Sequence, residues 1–290
     1  MNAVKRFREY IRNKEVLFAP GVHDCVTAKI AEKAGHQAIY MGGFATSAAI
    51  YGKPDVGLVT ITEMLAHARN IAGSVNIPVF ADADTGHGNP INVTRTIQEY
   101  EKAGVAGVHI EDQTNPKKCG NMPDRHVVPV REMVEKIHAA VDARVNADFV
   151  IAARSDSYLD CGLNELLDRG HAYAEAGADV FWPLLYNCKS RDEMKQVGAS
   201  FNIPLMASLV NYSATAHIDV PEYAAMGFRV IISPFGALQA AAPVIMALMK
   251  EMKETGSLKR YADRLMAFDD LTDLLGLPEI KALERKHGIN

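Results

Sequence analysis

The chain has 290 residues, 48% hydrophobic and 23% charged, which is enough apolar side chain to bury a sizeable core without staples. That composition excludes a disordered, collagen-like or disulfide-scaffold protein. Net charge is −4, from 31 Lys+Arg against 35 Asp+Glu, and without a basic block or aromatic-interleaved basic stripe nucleic acid is not an expected partner.

The stretch from Met1 to Glu15 is polar and has no apolar h-region, so it does not read as a secretory signal. No segment approaches the roughly 18 uninterrupted apolar residues of a membrane span. The four cysteines, Cys25, Cys119, Cys161 and Cys188, lack CxxC spacing, which argues against a zinc knuckle or a disulfide framework. The expectation is a soluble cytoplasmic enzyme.

Eight short apolar runs follow in chain order: Val16–Pro20, Ala38–Met41, Pro78–Asp82, Gly107–Ile110, Phe149–Ala153, Asp179–Trp182, Pro204–Ala207 and Arg229–Ile232. Their lengths suit parallel strands buried on both faces. Amphipathic segments lie between them: Leu58–Asn76, Asn92–Ala103, Val130–Ala143, Leu163–Ala176 and Pro221–Met226. Gly35, Gly104, Gly177 and Gly227 each follow such a segment, where a left-handed residue turns a helix back toward the next strand. Eight βα units predict an α/β protein, a (β/α)8 TIM barrel, over the alternative of a doubly wound sheet with an extra lobe. Gly236–Thr255 and Leu258–Arg285 add two or three helices beyond the barrel's needs. Residues 1–290 thus read as one domain with a C-terminal helical extension from about 236, whose apolar residues need a surface to pack on, such as a neighbouring subunit.

In such a barrel the site lies at the C-terminal strand ends. The third run ends in Asp82 and Asp84, which two-residue alternation would aim the same way; Glu111 follows the fourth, and Asp55 the second. Such carboxylates repel unless a cation sits among them, and an oxygen-rich, water-accessible site suits Mg²⁺ or Mn²⁺. Helix capping or pairing with Lys and Arg is the alternative. His109 faces away from Ile110 and reads equally as a core histidine. His87 lacks a metal-spacing partner and is not taken as a ligand. Asn115–Arg125 reads as a lid or as an exposed basic turn. In it Cys119 follows Lys117 and Lys118, whose charge favours the thiolate. Cys25, Cys161 and Cys188 read as structural, by the preference of free cysteine for burial. Arg154 either clamps a carboxylate or neutralises the acidic cluster.

Together Ala38–Gly43, Pro54-Asp55, Asp82–Gly86, His109–Gln113, Lys118–Gly120, Ala152–Asp156 and Ser233-Pro234 resemble the isocitrate lyase/phosphoenolpyruvate mutase superfamily, over roughly residues 5 to 255. The resemblance implies a Mg²⁺-dependent barrel with a helix swapped between subunits of a homotetramer, holding a small 2-oxo or 2-hydroxy acid. It implies Asp82 and Asp84 as metal ligands, with Asp55 and Glu111 acting through water. It also implies Cys119 as general acid, Arg154 on the oxo-acid portion, Tyr40 beside it, and Gly42 and Gly43 lending N–H groups to the carboxylate. The Lys-Cys-Gly loop is similar to that of the carbon–carbon lyases.

Departures from the pattern bear on substrate. Asn121 stands after Gly120 where isocitrate and methylisocitrate lyases typically have His; Leu184 replaces a Glu, and Ser208–Asn211 replaces Asn-Met-Thr-Glu. Losing charge-assisted contacts disfavours a tricarboxylate. The expected reaction is therefore cleavage of a 2,3-dimethylmalate-like 2-hydroxy-dicarboxylate to pyruvate and propionate. Tyr40 is one candidate base, Gly120, Asn121 and Leu184 would line the substrate, and Asn211 would stabilise the leaving aci-carboxylate. Oxaloacetate decarboxylation, hydrolysis of a 2-oxo-dicarboxylate, and a non-catalytic binding barrel are the alternatives.

Overall fold

The structure is a computed structural model that describes residues 2–13, 15–188, 190–211 and 213–289. Its strands are β1 (Leu17–Val22), β2 (Ile39–Met41), β3 (Val79–Asp82), β4 (Gly107–Glu111), β5 (Val150–Ser155), β6 (Val180–Pro183), β7 (Met206–Ser208) and β8 (Val230–Ser233). All eight expected runs became strands, shifted by a few residues at their ends. They pair in parallel in the order β6-β5-β4-β3-β2-β1-β8-β7. A parallel bridge between Phe181 and Leu205 brings the two ends of the sheet together, giving the expected barrel.

The helices are α1 (Ala3–Arg12), α2 (Cys25–Lys33), α3 (Gly43–Tyr51), α4 (Ile61–Ser74), α5 (Pro90–Ala103), α6 (Val130–Ala143), α7 (Tyr158–Glu175), α8 (Arg191–Ala199), α9 (Val220–Ala225), α10 (Gly236–Thr255), α11 (Phe268–Leu274) and α12 (Leu277–Lys286). Gly35, Gly104, Gly177 and Gly227 all have φ between +87° and +101°, the left-handed turn read from their positions. Within α7, Gly162 is non-helical (φ 82°), so the regular helix begins at Leu163, where the periodicity places it.

Helix α1 is absent from the sequence expectations, although Val4, Phe7, Tyr10 and Ile11 recur at helical spacing on a charged background; the two that pack deepest are Phe7 and Ile11. Both are buried in the barrel interior with Phe80, Ala106, Val150 and Val230. Arg8 anchors the helix below the strands. It pairs with Asp179 and donates to the carbonyls of Ala147 and Phe149, at the N-terminal ends of β5 and β6. α1 therefore plugs the end of the barrel opposite the site.

The chain divides into two compact units, residues 1–236 and 237–290. Among the described residues of the second, Leu274 is the one buried large apolar side chain, whereas Met246, Phe268, Ile280 and Leu283 are each more than half exposed. Among the described residues, no helix is long and apolar enough to cross a membrane.

Candidate active site

The site forms where β2 to β6 end. Asp82 is the last residue of β3, and the strand stops there. Asp84 is brought back toward Asp82 by a left-handed turn (φ 49°) and not by strand alternation, which corrects the reason expected for their convergence. The Asp84 N–H donates to Asp82 Oδ1 at 2.8 Å, and Asp84 O accepts from the Glu111 N–H at 2.8 Å, stapling the turn to β4. Gly43 opens α3 and donates its N–H to Asp82 Oδ2 at 2.8 Å. That N–H is therefore committed to Asp82 and not free for a substrate carboxylate, as the resemblance implied. Both glycines serve close approach: a Cβ on Gly42 would lie 2.8 Å from the Tyr40 ring, and one on Gly43 3.0 Å from Asp82 Oδ2 and Lys117 Nζ.

A lysine outside the expected set occupies this cluster. Lys117 Nζ lies 2.7 Å from Asp55 Oδ1 and 2.5 Å from Asp84 Oδ1, and the side chain is buried. Burial opposes its charge, but Asp84, Glu111, Asp82 and Asp55 together hold its pKa well above the ordinary lysine range. Arg154, on β5, reaches Glu111 Oε2 at 2.7 Å and Asp156 Oδ1 at 2.9 Å and lies over the Trp182 ring.

Four buried carboxylates, Asp55, Asp82, Asp84 and Glu111, thus face two permanent cations, Lys117 and Arg154. Burial raises the pKa of Asp55 and Asp84 despite Lys117, and raises Glu111 well above the carboxylate range despite Arg154. Asp82 is the exception: burial pushes it up, but His109, Lys117 and Arg154 outweigh that and hold it below its usual range. Glu111 Oε1 is buried without a hydrogen bond, and Oε2 has only the Arg154 ion pair. Such a cluster is short of positive charge, and its donors fit a divalent cation. Ligand atoms of Asp82, His109 and Glu111 lie within 4.8 Å of one another. His109 Nε2, however, is hydrogen-bonded to the Tyr40 hydroxyl at 2.8 Å, so carboxylate oxygens are the available ligands. Burial drops the His109 pKa to about 4 and lifts that of Tyr40 well above 10, leaving both neutral. His109 was readable from the sequence: it precedes Glu111 by two on one strand and so shares its face.

The segment Asn115–Arg125 folds down over the cluster. Thr114 N donates to His126 O, the Gln113 amide exchanges hydrogen bonds with the backbone of Lys118, and Cys119 N donates to Asp55 O at 2.9 Å. Cys119 is buried, and burial pushes its thiol pKa up, reversing the expected thiolate. The flanking charges are spent elsewhere: Lys117 on Asp55 and Asp84, and half-exposed Lys118 on Pro123 O and Asp124. A protonated thiol suits a general acid.

One cavity of about 340 Å³, mouth included, is lined by Tyr40, Gly42, Gly43, Asp55, Asp82, Cys119, Gly120 and Arg154, with an apolar wall of Phe44, Trp182, Pro234 and Phe235. Asp84 and Glu111 stand behind it. Leu184 is buried against Gly120, where a Cβ would come within 2.6 Å of it, and Asn121 is exposed beside Cys119. Asn211 is exposed on the loop after β7 and does not line the cavity, so the structure does not bring it to the site. Of the cysteines read as structural, Cys188 is buried and Cys25 partly so, but Cys161 is exposed.

A family model described as phosphoenolpyruvate phosphomutase matches residues 7–253. The 2,3-dimethylmalate lyase of Eubacterium barkeri is 41% identical over 287 residues, covering 99% of both chains. A crystal structure of 2,3-dimethylmalate lyase, described as a PEP mutase/isocitrate lyase superfamily member, superposes with a TM-score of 0.93. It is 37% identical and covers 99% of this chain and 96% of that one. Oxaloacetate acetylhydrolase in complex with 3,3-difluorooxalacetate superposes with a TM-score of 0.94 at 31% identity, covering 100% and 98%. The match runs through the barrel and through every element that carries the acidic cluster and the Cys119 loop, and the chain belongs to the phosphoenolpyruvate mutase/isocitrate lyase superfamily.

Proposed function

We propose that this protein is a Mg²⁺-dependent carbon–carbon lyase that cleaves a 2,3-dimethylmalate-like 2-hydroxy-dicarboxylate to pyruvate and propionate. The observation that carries the reading is the buried, protonated Cys119 set across one cavity from Asp82 and Arg154. The likeness to 2,3-dimethylmalate lyase over the whole chain supports it.

Asp82 would hold the ion, with Asp84, Asp55 and Glu111 around it, and bound Mg²⁺ would supply Lewis acidity at the 2-oxygen and its adjacent carboxylate. Arg154, already fixed by Glu111 and Asp156, holds the oxo-acid end through charge-assisted hydrogen bonds. Tyr40 stays protonated and acts as a hydrogen-bond donor backed by His109, not as the base. Of the cavity-lining carboxylates, Asp55 has the raised pKa and is the better acceptor for the hydroxyl proton. As the C2–C3 bond breaks, its electrons pass to the second carboxylate, and Cys119 delivers a proton to C3. Proton return from Asp55 to the Cys119 thiolate resets the site. Phe44, Phe235 and Trp182 offer apolar surface to methyl groups, where a third carboxylate would lose its hydration unpaired; Leu184 packs behind Gly120 and does not line the cavity.

The apolar side chains exposed on residues 237–290 support a helix-swapped homotetramer as the working assembly. The function is tested by offering 2,3-dimethylmalate, methylisocitrate, isocitrate and oxaloacetate in parallel with Mg²⁺. Stoichiometric pyruvate and propionate from the first is the expected result; no turnover of it would overturn the proposal. The structural likeness to oxaloacetate acetylhydrolase favours a second reading, hydrolysis of a 2-oxo-dicarboxylate. Oxalate from oxaloacetate marks that activity, and pyruvate from oxaloacetate alone marks a decarboxylase.

A further inference from the structure

The Cys119 loop begins beside Gln113 and ends at Arg125, and both flanks converge on one carboxylate. Asp156 Oδ1 accepts from Arg125 Nη1 at 2.5 Å and from Gln113 Nε2 at 3.2 Å. The same oxygen accepts from Arg154 Nη2 at 2.9 Å. Asp156 is itself held from behind: its N–H donates to Asp112 Oδ1 at 2.9 Å. Asp112 is fully buried, and its other oxygen accepts from Ser155, Arg169 and Tyr173. Asp156 and Arg125 are both buried, so these bonds form out of water, where charge-assisted contacts are strongest.

We infer that Asp156 is the latch of the active-site loop, a positioning residue that binds both flanks of the closed loop and, through the same oxygen, orients Arg154. Opening the loop removes Arg125 from Asp156 and leaves Arg154 its sole cationic partner. The Arg154 guanidinium, now shared between Asp156 and Glu111, is then drawn toward Asp156 and away from its position at the cavity. Loop closure and the alignment of Arg154 are thus one event, set by how the positive charges divide between two carboxylates. The inference rests on the proposed lyase only in making Cys119 the working group; the geometry of the latch stands apart from the reaction.

The test reads closure without turnover, by competitive alkylation of the full-length protein with iodoacetamide, quantified per cysteine by mass spectrometry. Cys119 is buried by the loop, Cys161 is exposed, and Cys188 is buried elsewhere. A buried thiol labels through the open state, so its rate follows the opening equilibrium. Arg125→Gln and Asp156→Asn are expected to speed labelling of Cys119 by about ten- to a hundredfold, the factor one lost charge-assisted hydrogen bond puts into that equilibrium. Cys161 and Cys188 keep their wild-type rates. Arg125→Lys, which keeps a donor and its charge, gives an intermediate rate, and Gln113→Leu also speeds labelling, because it loses its two bonds to the Lys118 backbone as well as the one to Asp156. Wild-type labelling of Cys119 in Arg125→Gln and Gln113→Leu overturns the latch. So does equal acceleration at Cys188, because that reports general loosening of the fold. Failure of all four carboxylic acids as substrates with Cys119 still released by Arg125→Gln would sink the lyase and leave the latch standing.

Discussion

Replacing Lys117 with Met removes the cation that touches two of the four clustered carboxylates while keeping the length and apolar stem of the side chain. At 2.5 and 2.7 Å and an effective dielectric of about 20, each contact is worth roughly 6 kcal/mol of Coulomb attraction. Desolvation of the three charges offsets most of this, and removing one partner of such a buried pair typically costs about 3–5 kcal/mol. For a chain of this size that corresponds to a melting midpoint lowered by about 6–20 °C. Two further signatures separate charge imbalance from mere loss of packing. Without Lys117, Asp55 and Asp84 titrate still higher in the folded protein than their already raised values. The folded state then binds more protons than the unfolded one, so the deficit shrinks as pH falls from 7.5 toward 5.5. A divalent cation also answers the same imbalance, so Mg²⁺ should raise the midpoint of Lys117→Met more than that of the wild type. Melting both proteins at the two pH values, with EDTA or Mg²⁺, measures all three effects. A deficit indifferent to both pH and Mg²⁺ would refute the charge argument.

Cys119→Ser should lower turnover by about 10²–10⁴, the usual contribution of a positioned general acid, while calorimetry finds Mg²⁺-dependent pyruvate binding nearly unchanged; undiminished turnover removes Cys119 from the mechanism. Gly120→Ala places a methyl group 2.6 Å from Leu184 and 2.7 Å from Arg154 Nη2, so kcat/KM should drop at least tenfold (about 1.4 kcal/mol). Adding Leu184→Ala should recover part of it, and a double variant no better than the single one argues against the clash. Burial lowers the His87 pKa to about 4. The unfolded chain therefore binds the extra proton as pH drops below about 6.5, and stability is lost through that window. His87→Asn, which tolerates the left-handed backbone there (φ 59°), should flatten the pH 7 to 5 stability curve of the metal-free protein by about 2 kcal/mol; parallel curves would mean His87 does not titrate as buried.

The barrel was legible because its signals are local. Runs of apolar residues of strand length and glycines after several of the helices need no knowledge of what lies across the fold. The acidic cluster was legible by the same logic, since Asp82, Asp84 and Glu111 lie at strand ends, while Asp55 comes after β2 and the short helix α3. What escaped depends on pairing at a distance. Lys117 and Lys118 look alike beside Cys119, yet one is taken by Asp55, 62 residues away in sequence, and the other lies half in solvent. With that cation spent, burial governs the thiol, and the expected sign of its shift reverses. Asp84 was placed correctly for the wrong reason, because a left-handed turn leaves no compositional trace at an Asp. Asn211 was misplaced since nothing local says which way a loop after a strand end will lean. Helix α1 was missed although Val4, Phe7, Tyr10 and Ile11 recur at helical spacing; what such a stripe does not say is that Phe7 and Ile11 pack across the chain to fill a barrel floor.

That floor changes what kind of container the site is. Phe7 of α1 stacks on Phe80 at 5.4 Å, and Phe80 in turn lies about 6 Å from both Tyr40 and His109. A continuous aromatic column therefore runs from the sealed end of the barrel to the underside of the acidic cluster. The vessel is filled at its base by α1 and covered at its neck by the Cys119 loop. An enolate formed inside is shielded from bulk protons for as long as the neck stays shut. The low permittivity of the column also gives each charge above it a longer reach. Shortening α1, far from any reacting atom, would amount to drilling a drain beneath the chemistry.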